Sequence, residues 1–254
     1  MYRENVRLSD PFVGCNHGCI YCRPSFQQQA KRQLHRCAII NEKGIPKCYT
    51  FEPHFHAERL LKKSPKTEGD QFVFFPKSGD PSFASEYELS CMLKYIRSNP
   101  QTTFLMQTKD PGFFSSRVFY TEKKPDYPQN LIMGITLETN RDWFTVGEYH
   151  TYEAISQAKH PVFRAATFRD IPHNRKFITI EPILQFDFRE LMNKIDAIFW
   201  CSKVIEPRVV YVGYDTKNCK LPEPTLAETN QLIERLKEKG FTVRVKTLRK
   251  SWYE

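Results

Sequence analysis

The run Cys15-Asn16-His17-Gly18-Cys19-Ile20-Tyr21-Cys22 sets three thiols within eight residues. Such crowding has a physical reason when the thiolates converge on an iron–sulfur cluster or a metal ion. No fourth cysteine follows at close range, the next being Cys37. A cubane held by three thiolates keeps one iron open to a substrate or cofactor. A structural zinc loop would instead need its fourth ligand from far along the chain.

At 254 residues the chain can bury a large core, enough for one α/β barrel or two small domains. With 40% apolar and 26% charged residues it has the composition of a globular protein. No run reaches the length of a membrane span, and Met1 to Cys22 lacks the basic-then-apolar form of a signal peptide, so a cytoplasmic protein is expected. The eight cysteines read as reduced residues rather than a disulfide framework, because the close-set trio is better explained by a cofactor. The formal charge of +9 is concentrated at the two ends. Residues 1–50 hold eight Lys or Arg against Glu4, Asp10 and Glu42, and residues 235–254 hold seven against Glu238 and Glu254. If the ends meet, they form a positive rim suited to a nucleic acid or phosphorylated substrate; a solvated basic surface is the plainer alternative.

Apolar strand-like runs alternate with helical stretches throughout, the layout of a parallel α/β fold. Strands are expected at Leu8–Val13, Gln71–Phe75, Thr102–Gln107, Leu131–Leu137, Pro161–Ala165, Phe177–Ile180, Arg208–Val212 and Phe241–Lys246. Helices are expected at Gln27–Leu34, Glu86–Arg97, Tyr149–Lys159, Leu191–Phe199 and Thr225–Lys239, the last stopped by Gly240. Residues 23–66 do not form a simple crossover and read as an insertion over the mouth of a barrel that occupies 1–254. Within it Cys37, Cys48, His54 and His56 are the right types for a second metal, but their spacing matches no standard zinc template. The simpler reading places the two histidines at the surface or facing substrate, and treats the two cysteines as ordinary small side chains.

Polar groups recur where apolar runs end, which is where barrel enzymes place their chemistry. Ser78-Gly79-Asp80-Pro81 follows the second run: Gly79 permits close backbone approach, and Asp80 can accept a charge-assisted bond from an ammonium. Lys109 follows the third run and can meet a carboxylate or phosphate. Thr136, Glu138 and Asn140 follow the fourth and are candidates for ribose hydroxyls. Arg164 either enters the mouth or caps the surface, and Glu181 is a candidate ligand after the sixth run.

The C-x3-C-x2-C loop with an aromatic before its third cysteine resembles the cluster loop of the radical S-adenosylmethionine (SAM) superfamily. The resemblance implies a single parallel (β/α) barrel, full or nearly full, and a [4Fe-4S] cluster on Cys15, Cys19 and Cys22. It further implies SAM on the open iron, with Tyr21 beside the adenine and Ser78-Gly79-Asp80-Pro81 as a variant of the turn that holds the SAM amino group. The implied activity is reductive cleavage of SAM to a 5'-deoxyadenosyl radical that abstracts hydrogen, fed by a one-electron reductant such as flavodoxin or ferredoxin. The order of later features is similar to a phage-associated radical SAM family: Pro53-His54, Glu58-Arg59-Leu60, Gln107-Thr108-Lys109, Gly134 to Glu138 and Ile180-Glu181-Pro182 carry it. Val212-Gly213-Tyr214-Asp215 departs from that family's fuller glycine-rich turn. Spore photoproduct lyase, in the wider superfamily, supplies a precedent for nucleic-acid modification or repair. The alternative from another class is a non-enzymatic zinc-containing protein that binds nucleic acid.

Overall fold

The computed structural model describes residues 2–32, 37–122, 124–201 and 207–254. Its contacts divide the chain into two units. The first comprises Met1–Gly18, Cys22–Thr108 and Phe113–Met133, and the second comprises Cys19–Tyr21, Lys109–Gly112 and Gly134–Glu254.

In the first unit a short strand β1 (Phe12–Val13) pairs antiparallel with β2 (His54–Phe55), setting Val13 opposite His54. Between them lie two four-residue helices, α1 (Gln28–Lys31) and α2 (Lys47–Thr50); α1 extends a π-helical turn at Arg23–Gln27. The last two residues of the helix expected at Gln27–Leu34 lie outside the described residues. Beyond β2, β3 (Val73–Phe74) pairs parallel with β4 (Phe104–Thr108). Phe104, Leu105 and Met106 are all fully buried, the unbroken apolar pattern of a strand covered on both faces. The connecting helix α3 (Glu86–Arg97) starts with a capping box, in which Ser85 and Glu88 satisfy each other's backbone N–H groups. It buries Leu89, Met92, Leu93 and Ile96. A hairpin of β5 (Tyr120–Thr121) and β6 (Lys124–Pro125) precedes β7 (Leu131–Thr136), which continues into the second unit.

The second unit adds α4 (Tyr152–Ile155), α5 (Pro161–Asp170), β8 (Lys176–Ile180), α6 (Phe188–Cys201), β9 (Val209–Gly213), α7 (Leu226–Glu238) and β10 (Thr242–Thr247). β8 pairs parallel with β9, and β9 with β10. Thr225 and Glu228 form a second capping box at the start of α7, and Gly240, at φ +83°, follows its end.

The hydrogen-bonded order is β10-β9-β8-β7-β4-β3, a six-stranded sheet with parallel pairs and intervening helices. This is an α/β architecture, and six rather than eight of the expected runs join the sheet. Leu8–Val13 does not, because only Phe12 and Val13 are extended and their partner is β2. Pro161–Ala165 does not, because it is the first half of α5. Pro161 occupies the start of that helix, where its missing N–H costs nothing, and the His160 side chain caps it by accepting from the Val162 N–H. The helix expected at Tyr149–Lys159 is confined to Tyr152–Ile155.

One close approach fixes the end of β1. Gly14 has φ +101°, and a Cβ there would lie 2.3 Å from the Glu52 carbonyl oxygen. A Gly14→Ala protein is therefore expected to lose about 3 kcal/mol or more of stability, from the left-handed backbone and the displaced carbonyl together. The urea midpoint measures it; a midpoint equal to the parent's would show that the turn relaxes freely.

Candidate functional site

Among the described residues, most of the chemistry-bearing side chains gather in three clusters, each within one unit. The first surrounds the start of the cysteine loop. The Gly14 N–H donates to the Ser78 carbonyl (3.1 Å), and the Asp80 N–H donates to the Gly14 carbonyl (3.2 Å). This parallel bridge needs Gly79 as well, since a Cβ there would lie 2.9 Å from the Gly14 oxygen. Asp80, buried in the turn, accepts from the Ser82 N–H (3.0 Å) and the Thr108 hydroxyl (2.6 Å), and meets His17 Nε2 at 3.1 Å. The His17 N–H donates to Cys15 Sγ (3.4 Å), so that Cys15, His17 and Asp80 offer three ligand atoms in one place.

The second cluster is organised by Glu138, fully buried just beyond β7. Its Oε1 accepts from Lys109 Nζ (2.6 Å), from the Tyr21 hydroxyl (2.6 Å) and from the Tyr152 hydroxyl (3.2 Å). Its Oε2 accepts from Arg164 (2.7 Å), which also donates to the Thr136 carbonyl (2.5 Å). Lys109 Nζ donates in turn to Cys19 Sγ (3.1 Å) and to Tyr21, and Ser156 Oγ lies 3.0 Å from the same sulfur. Burial opposes ionisation of Glu138, but Arg164 and Lys109 outweigh it and bring its pKa from 4.5 to about 2. Burial likewise opposes the Lys109 charge, and Cys19 and Glu138 outweigh it, so the ammonium is held well above its ordinary range. A cation 3.1 Å from Cys19 favours its thiolate, the form that binds metal.

The third cluster is Cys37, Cys48, His54 and His56, all buried, whose ligand atoms lie within 4.8 Å of one another. Burial of both histidines excludes a surface position for them, and the two thiols that read as ordinary small side chains lie beside them. A turn stabilised by Asn41, whose Oδ1 accepts from the Lys43 and Ile45 N–H groups, leads the chain back toward α2 and Cys48. Phe51, in the left-handed region at φ 64°, reverses it again, and His54 and His56 sit two apart along an extended segment, on one face. Burial, with the charge of Arg59 beside it, takes His56 down to about 4 and lowers His54; burial and the neighbouring Cys37 push the Cys48 thiol up to about 12.

Of the remaining candidates, Ser78 contributes its carbonyl to the Gly14 bridge, while Glu181 pairs with Lys246 (2.8 Å). Asn140 Oδ1 accepts from the Asp187 N–H (2.9 Å), which makes it a loop fastener. His17, Tyr152 and Ser156 are cluster members that the sequence reading did not single out. His17, inside the cysteine loop, was open to view there; Tyr152 and Ser156 carry no local signal.

Glu138→Gln, which leaves Lys109 and Arg164 buried beside a neutral amide, is expected to cost about 3–5 kcal/mol of stability. Because the folded pKa lies below the unfolded one, the carboxylate's contribution is complete above about pH 4.5 and is lost as pH falls through about 2. Denaturant titrations of both proteins should therefore converge below pH 4.5. A constant gap down to pH 2 would mean that the loss comes from packing rather than charge.

No family model matches the chain, and neither does any curated protein. Among solved structures it is similar to SuiB of Streptococcus suis bound to S-adenosylmethionine, at 10% identity and a TM-score of 0.47. The match covers 94% of this chain and 49% of that one, so the chain spans about half the length of the protein it matches.

Proposed function

We propose that the chain is a radical SAM enzyme, carrying a [4Fe-4S] cluster on Cys15, Cys19 and Cys22 and binding SAM beside it. The observation that carries this reading is the C-x3-C-x2-C loop, with Cys19 set against a buried cation and Cys15 beside the Gly14–Gly79 bridge. The donor set fits such a cluster: three thiols, one of them biased toward thiolate by Lys109. When bound, the reduced cluster supplies the electron that cleaves SAM to methionine and a 5'-deoxyadenosyl group able to take hydrogen from an unreactive carbon.

The chain's own residues bind and orient. Asp80, the anion in the bridge turn, would accept from the SAM ammonium, with Gly79 allowing the backbone to come close and Ser78 holding the turn. Lys109 would take the SAM carboxylate, Tyr21 the adenine, and Thr136 and Glu138 the ribose. Arg164 fixes the Glu138 carboxylate at 2.7 Å, and Glu181 stands as a further ligand at the end of β8. In this reading the strands close into a full or nearly full barrel, residues 23–66 lie over its mouth, and a flavodoxin or ferredoxin delivers the electron. The substrate is a nucleic acid or a nucleotide, drawn by the basic ends.

Anaerobic reconstitution with iron and sulfide is expected to give about four irons per chain. Added SAM and dithionite should then yield 5'-deoxyadenosine. Cys19→Ala should abolish both cluster and product; release at the parental rate would remove the assignment. The rival, a non-enzymatic zinc-containing nucleic-acid-binding protein, draws on the Cys/His cluster and the charge. It gives no role to the Glu138 network. Binding to DNA or RNA that does not weaken with salt would remove the electrostatic basis of either nucleic-acid reading.

A further inference from the structure

We infer that Cys37, Cys48, His54 and His56 hold a structural zinc ion that ties β2 and its flanking turn to the start of the cysteine loop. The inference stands apart from the radical SAM reading, since none of the four residues belongs to that loop.

The argument begins with the imidazole tautomers. His54 Nδ1 lies 2.7 Å from the Glu52 carbonyl, which can only accept, so Nδ1 carries the hydrogen. His56 Nδ1 lies 3.1 Å from the Glu58 carboxylate, which accepts in the same way. Both neutral rings therefore turn bare Nε2 lone pairs inward, and these two atoms are only 3.0 Å apart. Two acceptors at that distance repel, and they do so in a place where water is excluded: His54 is 5% and His56 2% exposed. A cation between them turns the repulsion into ligation. A ligating histidine whose other nitrogen donates to a carbonyl or carboxylate is also the usual outer arrangement of a metal site.

The sulfurs complete the same figure. Cys48 Sγ lies 3.2 Å from His54 Nε2 and 3.5 Å from His56 Nε2, and Cys37 Sγ lies 3.6 Å from His54 Nε2. A tetrahedron with Zn–S near 2.3 Å and Zn–N near 2.0–2.1 Å has edges of about 3.3 to 3.8 Å. These four separations, 3.0 to 3.6 Å, lie within about 0.4 Å of those edges. Two thiolates and two imidazoles select zinc over hard cations, and they cancel its charge, as burial requires. With four protein ligands the site is closed, which makes it structural rather than catalytic.

Its mechanical consequence is local. His54 is the strand partner of Val13, and the Cys15 N–H donates to the Phe51 carbonyl at 3.2 Å. Val13, Cys37, Cys48 and Phe51 share one apolar cluster, against which Cys15 packs. The ion thus anchors the short β1–β2 pair, which is too small to be stable alone.

Protein purified without added metal is expected to carry about one zinc per chain, with zinc-edge X-ray absorption reading two sulfurs near 2.3 Å and two nitrogens near 2.0–2.1 Å. Cys48→Ser and His54→Gln should each retain less than about a tenth of that zinc, whereas combined Cys15→Ala, Cys19→Ala and Cys22→Ala should retain it. Chelation should speed amide exchange at Cys15 and His56, whose N–H groups donate across the pair. Absence of zinc, a shell of three or more sulfurs, or zinc lost with the loop cysteines and kept in Cys48→Ser would each overturn the assignment. Should the single variants fail to fold, the absorption spectrum of the unaltered protein decides by itself.

Discussion

The contact of Gly14 with the Glu52 carbonyl is the constraint on which the first unit turns. A Cβ at Gly14 would meet that oxygen at 2.3 Å, and the same oxygen accepts from His54 Nδ1 at 2.7 Å. One backbone carbonyl therefore marks both the end of β1 and the tautomer of a buried imidazole. On the other side of Gly14, its N–H and carbonyl bond to Ser78 and Asp80. Two segments far apart in sequence are registered against a residue with no side chain, and the first of the three cysteines follows directly from it.

In the second unit a buried anion gathers the polar groups. Glu138 is inaccessible to water, and its two oxygens are shared among Lys109, Arg164 and two tyrosines. A buried carboxylate of this kind is tolerable only when fully partnered. Its donors are Lys109, Tyr21 of the cysteine loop, Tyr152 at the start of α4 and Arg164 within α5, so these segments of the unit meet at one anion.

Much of this was legible in the chain, for identifiable reasons. Runs such as Phe104-Leu105-Met106 are apolar on both faces, and a buried parallel strand reads that way; α3 and α7 announce themselves by spacing and by Ser85–Glu88 and Thr225–Glu228. Pro161-Val162-Phe163-Arg164-Ala165 misled because a five-residue apolar run has no period long enough to separate strand from helix. Its burial is also inverted: Phe163 is 68% exposed, while Arg164 is fully buried because Glu138 pairs with it. Lys109, Glu138 and Arg164 were each visible as polar residues near apolar runs, but not their convergence on one carboxylate. Of the Cys/His cluster only the residue types were legible, because C-x10-C-x5-H-x-H acquires meaning only after the Asn41 turn and the left-handed Phe51 fold it back.

The shared carbonyl also says where the chain is free to drift. Position 52 matters to this contact through its backbone, which any residue other than proline or glycine presents alike, while its carboxylate meets Asn41 Nδ2 at 2.7 Å and the Thr50 side chain. Position 14 matters through the atoms it lacks. Two neighbours in space thus stand at opposite ends of mutational tolerance, and in a lineage of such chains the letter at 52 would change readily while the glycine it touches would stay.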